Sequence, residues 1–110
     1  MNATISIITP VFNREKSVID SVKSSLNFLD KCDRVGEIII VDDASTDNSC
    51  SVINDTFDQQ ITSKLIRLIV LKKNLGPTGA KQIGAENAVG NWLIFMDSDD
   101  LFVTDRCSSA

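Results

Sequence analysis

Trp92-Leu93-Ile94-Phe95-Met96-Asp97-Ser98-Asp99-Asp100 decides how the rest of the chain is read. Five apolar residues in a row make a short buried strand, and three carboxylates crowd at its end. Two carboxylates about 4 Å apart repel by roughly 1 kcal/mol in water and about 4 kcal/mol at an effective dielectric near 20. A cluster that stays ionised therefore faces a cation. Hard oxygen ligands favour Mg²⁺, Mn²⁺ or Ca²⁺ over zinc. An aspartate after a strand can instead cap a helix or close an Asx-turn, which accounts for one of the three more readily than for the whole cluster.

Three more apolar, β-branched runs lie upstream: Ile5-Ser6-Ile7-Ile8, Ile38-Ile39-Ile40-Val41, and Leu65 to Leu71. Each reads as a buried strand. Between the first two, Val18, Ile19, Val22, Leu26 and Leu29 recur at helical spacing, with Asn13 as the expected N-cap and Glu15 placed to complement the helix N-terminus. After the second run, Ser45-Thr46-Asp47 offers capping chemistry, and Cys50, Ile53 and Phe57 form an apolar stripe. A third helix, from about Pro77 to Val89, carries Ala80, Ile83, Gly84 and Ala88 on one side, small residues that suit close packing on a sheet. Strands alternating with helices of this length imply β-α-β units and a mainly parallel sheet in an α/β, Rossmann-like three-layer α/β/α arrangement.

The 110 residues are 43% hydrophobic and 24% charged, an ordinary globular balance that holds one domain at most. Net charge is -4 and the sequence pI about 4.6, so no basic footprint for nucleic acid exists, and any phosphate recognition is local or metal-mediated. Cys32, Cys50 and Cys107 are odd in number, widely spaced and without a C-x-x-C pair, which fits a reducing cytoplasm better than a disulfide framework or a zinc site. Histidine is absent, so nucleophilic triads with a histidine base are excluded and any base is a carboxylate or lysine. Met1-Asn2-Ala3-Thr4-Ile5 lacks the basic region and apolar core of a signal peptide, so none is expected here, and no run approaches the roughly 20 apolar residues that span a bilayer.

In an open α/β sheet, ligands bind outside the carboxyl ends of the strands. Here those ends read Thr9-Pro10-Val11-Phe12-Asn13, Asp42-Asp43-Ala44-Ser45, Lys72-Lys73-Asn74-Leu75-Gly76 and Asp97-Ser98-Asp99-Asp100. Asp42 and Asp43 either cap the following helix or join the second acidic cluster at one edge, where one acid near a ribose or base and others near a metal would suit a nucleotide diphosphate. Lys72, Lys73 and Lys81 read as solvated surface lysines, with Lys81 the best placed to hold phosphate. Gly76-Pro77-Thr78-Gly79-Ala80-Lys81-Gln82 lacks the G-x-x-x-x-G-K-[ST] spacing of a phosphate-binding loop. An EF-hand opening at Asp97 would need Gly where Phe102 stands and Glu where Ser108 stands. A receiver domain needs a lysine after its phospho-acceptor, and none follows Asp97.

Taken together, Ile8-Thr9-Pro10-Val11-Phe12-Asn13, Val41-Asp42-Asp43-Ala44-Ser45-Thr46-Asp47, Asn74-Leu75-Gly76 with Gly79-Ala80-Lys81, and Ala88-Val89-Gly90-Asn91-Trp92 through Asp100 resemble the N-terminal half of a family 2 glycosyltransferase, an inverting family of GT-A fold. The resemblance covers nearly everything from Ile5 to Phe102. It implies a nucleotide-diphosphosugar site in which Thr9, Pro10 and Val11 line the base and ribose, and Asp43, with Asp42 near it, reaches the base. Asn13, Glu15, Asn74, Gly76, Lys81 and Ser98 join the implied donor-binding set. Asp97-Ser98-Asp99 is the implied D-x-D motif: Asp97 approaches ribose or metal, and Asp99 with Asp100 holds Mg²⁺ or Mn²⁺ on the diphosphate. Phe12 stands where the family usually has Tyr, Ala44 where Gly is common, and Lys81 where Arg is frequent.

The implied activity is metal-dependent, inverting transfer of a sugar from a nucleotide-diphosphate donor, expected to be a UDP-sugar, to a glycan or lipid-linked acceptor. In the family the acceptor-binding half and the general base lie beyond the D-x-D motif, so residues 1–110 read as the donor-binding part of a longer domain whose base lies past residue 110. Polysaccharide biosynthesis is the expected setting, in the cytoplasm and, for a longer parent, peripherally at the inner face of the membrane. Two alternatives remain open: a non-catalytic nucleotide-sugar-binding fragment, and a sugar-1-phosphate nucleotidyltransferase, for which Thr9-Pro10-Val11-Phe12-Asn13-Arg14 is a poor match to the required Gly-rich basic loop. A four-strand sheet cut from a larger domain also leaves an apolar edge uncovered, which leads to an expectation of self-association.

Overall fold

Each of the four apolar runs forms a strand: β1 (Thr4–Val11), β2 (Val35–Asp42), β3 (Ile66–Val70) and β4 (Trp92–Phe95). The structure, a computed structural model, describes residues 4–32 and 35–96. The acidic cluster Asp97, Ser98, Asp99 and Asp100 and the segment from Leu101 to Ala110 lie outside the described residues. All pairings are parallel, in the order β3-β2-β1-β4. Helical crossovers return the chain to the same end of the sheet each time: α1 (Val18–Cys32) after β1, α2 (Ser49–Thr56) and α3 (Asp58–Thr62) after β2, α4 (Gly76–Asn87) after β3. The expected parallel α/β sheet is therefore present.

Alternation along the strands divides the core in two. Ile5, Ile7 and Val11 of β1 and Ile38 and Ile40 of β2 pack with Val18, Val22 and Leu29 of α1, Ile53 of α2 and Phe57. Ile8, Ile39 and Val41 point the other way, onto Ala80 of α4 and its neighbour Ile83. Full burial of one such side chain stabilises by about 1.5–3 kcal/mol. Gly84 lets α4 approach that face: a methyl group there would lie 2.4 Å from Ile8 Cγ2 and 3.3 Å from Val41 Cγ2. The small-residue stripe expected to pack closely on the sheet does so.

Three expectations are corrected. β4 is not a buried strand: it pairs with β1 alone among the described strands, and Leu93 and Phe95 are 42% and 49% exposed. Asn13 does not cap α1, which begins five residues later at Val18; instead it takes a left-handed conformation, φ 54°, and turns its side chain toward the loop after β2. Glu15 accordingly precedes the helix rather than sitting in its first turn. The segment after Phe57 contains a further one-turn helix, α3, that no apolar periodicity announces.

At the amino ends of the strands, buried Ser6 and Glu37 form a polar link between β1, β2 and the end of α4. The Ser6 hydroxyl donates to Glu37 Oε2 at 2.7 Å, and the Val89 N–H donates to the same oxygen at 2.9 Å. Arg67 of β3 pairs with Glu37 Oε1 at 2.9 Å and also donates to the main-chain oxygen of Asn87. This fastens the exit of α4 to the sheet far from the carboxyl edge and leaves that edge for other work.

Candidate functional site

The strand order turns back at β1, because the chain runs from β1 to β2 to β3 and then crosses to β4 on the other side. Sheets of this kind open a crevice at the carboxyl ends beside such a reversal. A cleft of about 780 Å³ lies there. Pro10 and Val11 of β1 and the following Phe12, Asn13 and Arg14 form one wall. Asn74, Gly76, Pro77 and Lys81, from the β3–α4 connection and α4, form the opposite wall, and Asp43 lies between the two.

Two facing loops make the floor rigid. Asn13 Oδ1 accepts from the Thr46 N–H at 2.8 Å, the Thr46 hydroxyl at 3.3 Å and the Asp47 N–H at 3.3 Å. In return the Asn13 N–H donates to Ser45 Oγ at 2.9 Å and the Arg14 N–H to Ser49 Oγ at 3.0 Å. Asp47 Oδ1 accepts from the Ser49 N–H and hydroxyl at 2.9 and 2.5 Å, and Oδ2 from the Glu15 N–H at 3.3 Å. Burial works to raise the Asp47 pKa, but these donors from Ser49 and Glu15 outweigh it and hold the carboxyl below its ordinary value. The capping chemistry expected of Ser45-Thr46-Asp47 thus falls to Asp47 at the start of α2.

Asp43 is 3% exposed, and both its oxygens are engaged: Oδ1 accepts from the Leu75 N–H at 2.7 Å and Oδ2 from the Gly76 N–H at 2.9 Å. The helix-capping alternative is met, but on α4 rather than on the helix that follows Asp43 in sequence. A carboxylate has about four acceptor positions, so capacity remains for a ligand donor.

Among the expected site residues, Pro10, Val11, Asn13, Asp43, Asn74, Gly76 and Lys81 are brought together around the cleft. Thr9 and Asp42 are not: they are 1% and 2% exposed and face the α1–α2 side of the sheet, each with one oxygen lacking a hydrogen-bond partner, Thr9 Oγ1 and Asp42 Oδ1. Asp42 Oδ2 accepts from the Ser45 N–H at 3.2 Å. Burial, with Asp42 and Asp47 nearby, pushes the Cys50 thiol up to about 11, which keeps it neutral at physiological pH. Glu15 lines a smaller adjoining hollow of about 320 Å³ with Lys16, Ser17 and Asp47. Lys72 and Lys73 are exposed and away from the cleft wall.

Sequence reading gave Phe12, Arg14 and Pro77 no place in the donor site, although all three line the cleft. Their signal was position alone, directly after β1 and at the first turn of α4, where the carboxyl-edge rule applies. Phe12 is 43% exposed, an aromatic face turned to solvent beside the cleft. No group of three or more His, Cys, Asp or Glu able to hold a metal occurs among the described residues; the candidate ligands Asp97, Asp99 and Asp100 lie outside them. The Met96 N–H donates to Ile8 O at 2.9 Å, so the chain reaches Met96 alongside β1. Among the described residues no helix is long and apolar enough to cross a membrane.

Comparison with known proteins agrees with this geometry. The Glycosyl transferase family 2 model matches residues 6–110. An uncharacterized glycosyltransferase of Haemophilus influenzae is 38% identical over 102 residues, 93% of this chain and 38% of that protein. The Escherichia coli UDP-Glc:alpha-D-GlcNAc-diphosphoundecaprenol beta-1,3-glucosyltransferase WfaP is 35% identical over 107 residues, 96% of this chain and 39% of its own length. S. aureus TarS 1-349, solved in complex with UDP-GlcNAc, superposes with a TM-score of 0.75 at 26% identity, covering 96% of this chain and 29% of that one. The chain thus spans about two fifths of these curated relatives, and its fold is of the GT-A type.

Proposed function

The chain belongs to glycosyl transferase family 2, and we propose that residues 1–110 are the donor-binding part of a transferase that moves a sugar from a UDP-sugar to a glycan or lipid-linked acceptor. The observation that carries this is the cleft at the carboxyl edge, with a hydrophobic wall on β1, a carboxylate in the middle and lysine on the far wall. Pro10, Val11 and Phe12 offer an apolar, partly aromatic surface for a base and ribose. Asp43, an acceptor only, suits a base edge that presents an N–H. Arg14 and Lys81 supply positive charge for phosphate oxygens. UDP is favoured as the nucleotide because WfaP is named for UDP-Glc and TarS was solved with UDP-GlcNAc.

Asp97, Asp99 and Asp100 are the proposed ligands of Mg²⁺ or Mn²⁺, a donor set of hard oxygens that fits either ion. When bound, the ion neutralises charge on the diphosphate leaving group. Transfer proceeds with inversion, a carboxylate beyond residue 110 taking the proton of the acceptor hydroxyl. The whole protein works on the cytoplasmic side, peripherally at the membrane when its acceptor is lipid-linked.

Two variants test the donor site by titration with UDP. Lys81→Ala is expected to weaken UDP by about tenfold, the effect of one charge-assisted contact of about 1.4 kcal/mol, while leaving uridine affinity within about twofold. Asp99→Asn is expected to remove the dependence on Mn²⁺. Unchanged UDP affinity and unchanged metal dependence in these variants would refute the assignment.

A further inference from the structure

The sequence of α4 does not cap its own beginning. Leu75 stands at the N-cap with no side-chain bond, and Gly76 enters the helix at φ 83°, a conformation that favours glycine. The first amide groups of a helix have no partner within it and need acceptors from elsewhere. Here the main acceptor lies more than thirty residues upstream: the Asp43 carboxylate takes the N–H groups of Leu75 and Gly76 one on each oxygen, and the Gly76 N–H is shared with the neighbouring Asn74 Oδ1 at 3.0 Å. Asp43 is itself held fast: its N–H donates to Val11 O at 2.7 Å and its main-chain oxygen accepts from Asn74 Nδ2 at 3.3 Å.

We propose that Asp43 is a positioning residue that caps α4 from across the cleft and thereby fixes the wall carrying Gly76, Pro77 and Lys81 for the diphosphate. This rests on the donor-site reading above. The two walls differ in what supports them. Pro10 and Val11 sit in β1, paired residue by residue with Val41 and Asp42 of β2, and do not need the Asp43 side chain to hold their place. The opposite wall hangs on the entry of α4, and Lys81 lies within about one and a half turns of it on that helix. Releasing the cap loosens the phosphate side of the cleft and leaves the base side standing.

The test compares the chain with Asp43→Asn and Asp43→Ala. Asparagine keeps the shape and one acceptor but turns an amide donor toward the other N–H; alanine removes both carboxylate oxygens and leaves Gly76 only Asn74 Oδ1. Amide hydrogen exchange by NMR is expected to speed up at least tenfold at Leu75 in both variants, and by less at Gly76, which keeps Asn74 Oδ1, with Ile39 and Ile40 in the core unchanged. The ratio of UDP to uridine affinity is expected to fall at least tenfold as well. Loss of a base contact alone, or general destabilisation, would weaken both ligands alike and leave the ratio where it was. A Leu75 amide that stays protected would overturn the proposal, as would an unchanged ratio. If the unaltered chain binds no UDP, the donor-site reading fails, and with it the diphosphate role; the exchange measurement then decides the cap on its own.

Discussion

Ala44 sits at φ 62°, in the left-handed region, on the loop that faces Asn13 across the cleft floor. That conformation costs a residue with a Cβ roughly 1–2 kcal/mol, and glycine avoids it at an entropic cost of roughly 0.5–1 kcal/mol. Ala44→Gly is therefore expected to raise stability by about 0.5–1 kcal/mol, read as an upward shift in the urea midpoint with unchanged slope; a lower midpoint would mean that Ala44 is not strained. The resemblance had flagged this position as one where Gly is common, and the backbone supplies the reason. Other roles at this scale were not legible. Asn13 looked like a helix cap and Asp43 like a cap for the next helix, because a local reading cannot see that their partners, Thr46 and Leu75, lie about thirty residues further along.

Among elements, the amino end of the sheet depends on Glu37. Burial works to raise its pKa, but the Val89 N–H, the Ser6 hydroxyl and the Arg67 guanidinium together hold it below the ordinary 4.5. A carboxyl with a folded-state pKa below its unfolded value contributes stability in full above the unfolded value, and loses that contribution as pH falls through the folded one. The melting temperature is thus expected to fall as the pH is lowered below 4.5, and Glu37→Gln to flatten this dependence while costing about 1–3 kcal/mol at neutral pH. Equal acid sensitivity in the two proteins would assign the loss to other carboxyls. The strands themselves were legible because continuous Ile and Val runs leave little choice of structure. The exposure of β4 was not, since Trp92 to Met96 reads the same in the middle of a sheet as at its edge, and neither was α3, which at five residues is too short for a periodicity.

On the scale of the molecule, the same β4 leaves Leu93 and Phe95 open to solvent, and Val89, just before it in sequence, is 78% exposed. An edge strand with apolar side chains is a template for a second copy. The chain is expected to show a sedimentation coefficient that rises with concentration, and Leu93→Lys with Phe95→Lys to suppress the rise; a monodisperse 12.0 kDa species at every concentration would show that the edge is inert. The cleft at the carboxyl ends of the strands is where the functional reading stands or falls. Calorimetric titration of the chain with UDP, with and without Mn²⁺, tests it most directly: one UDP bound per chain, dependent on the metal, is the expected result, and no heat of binding in either condition would contradict a donor site in these residues.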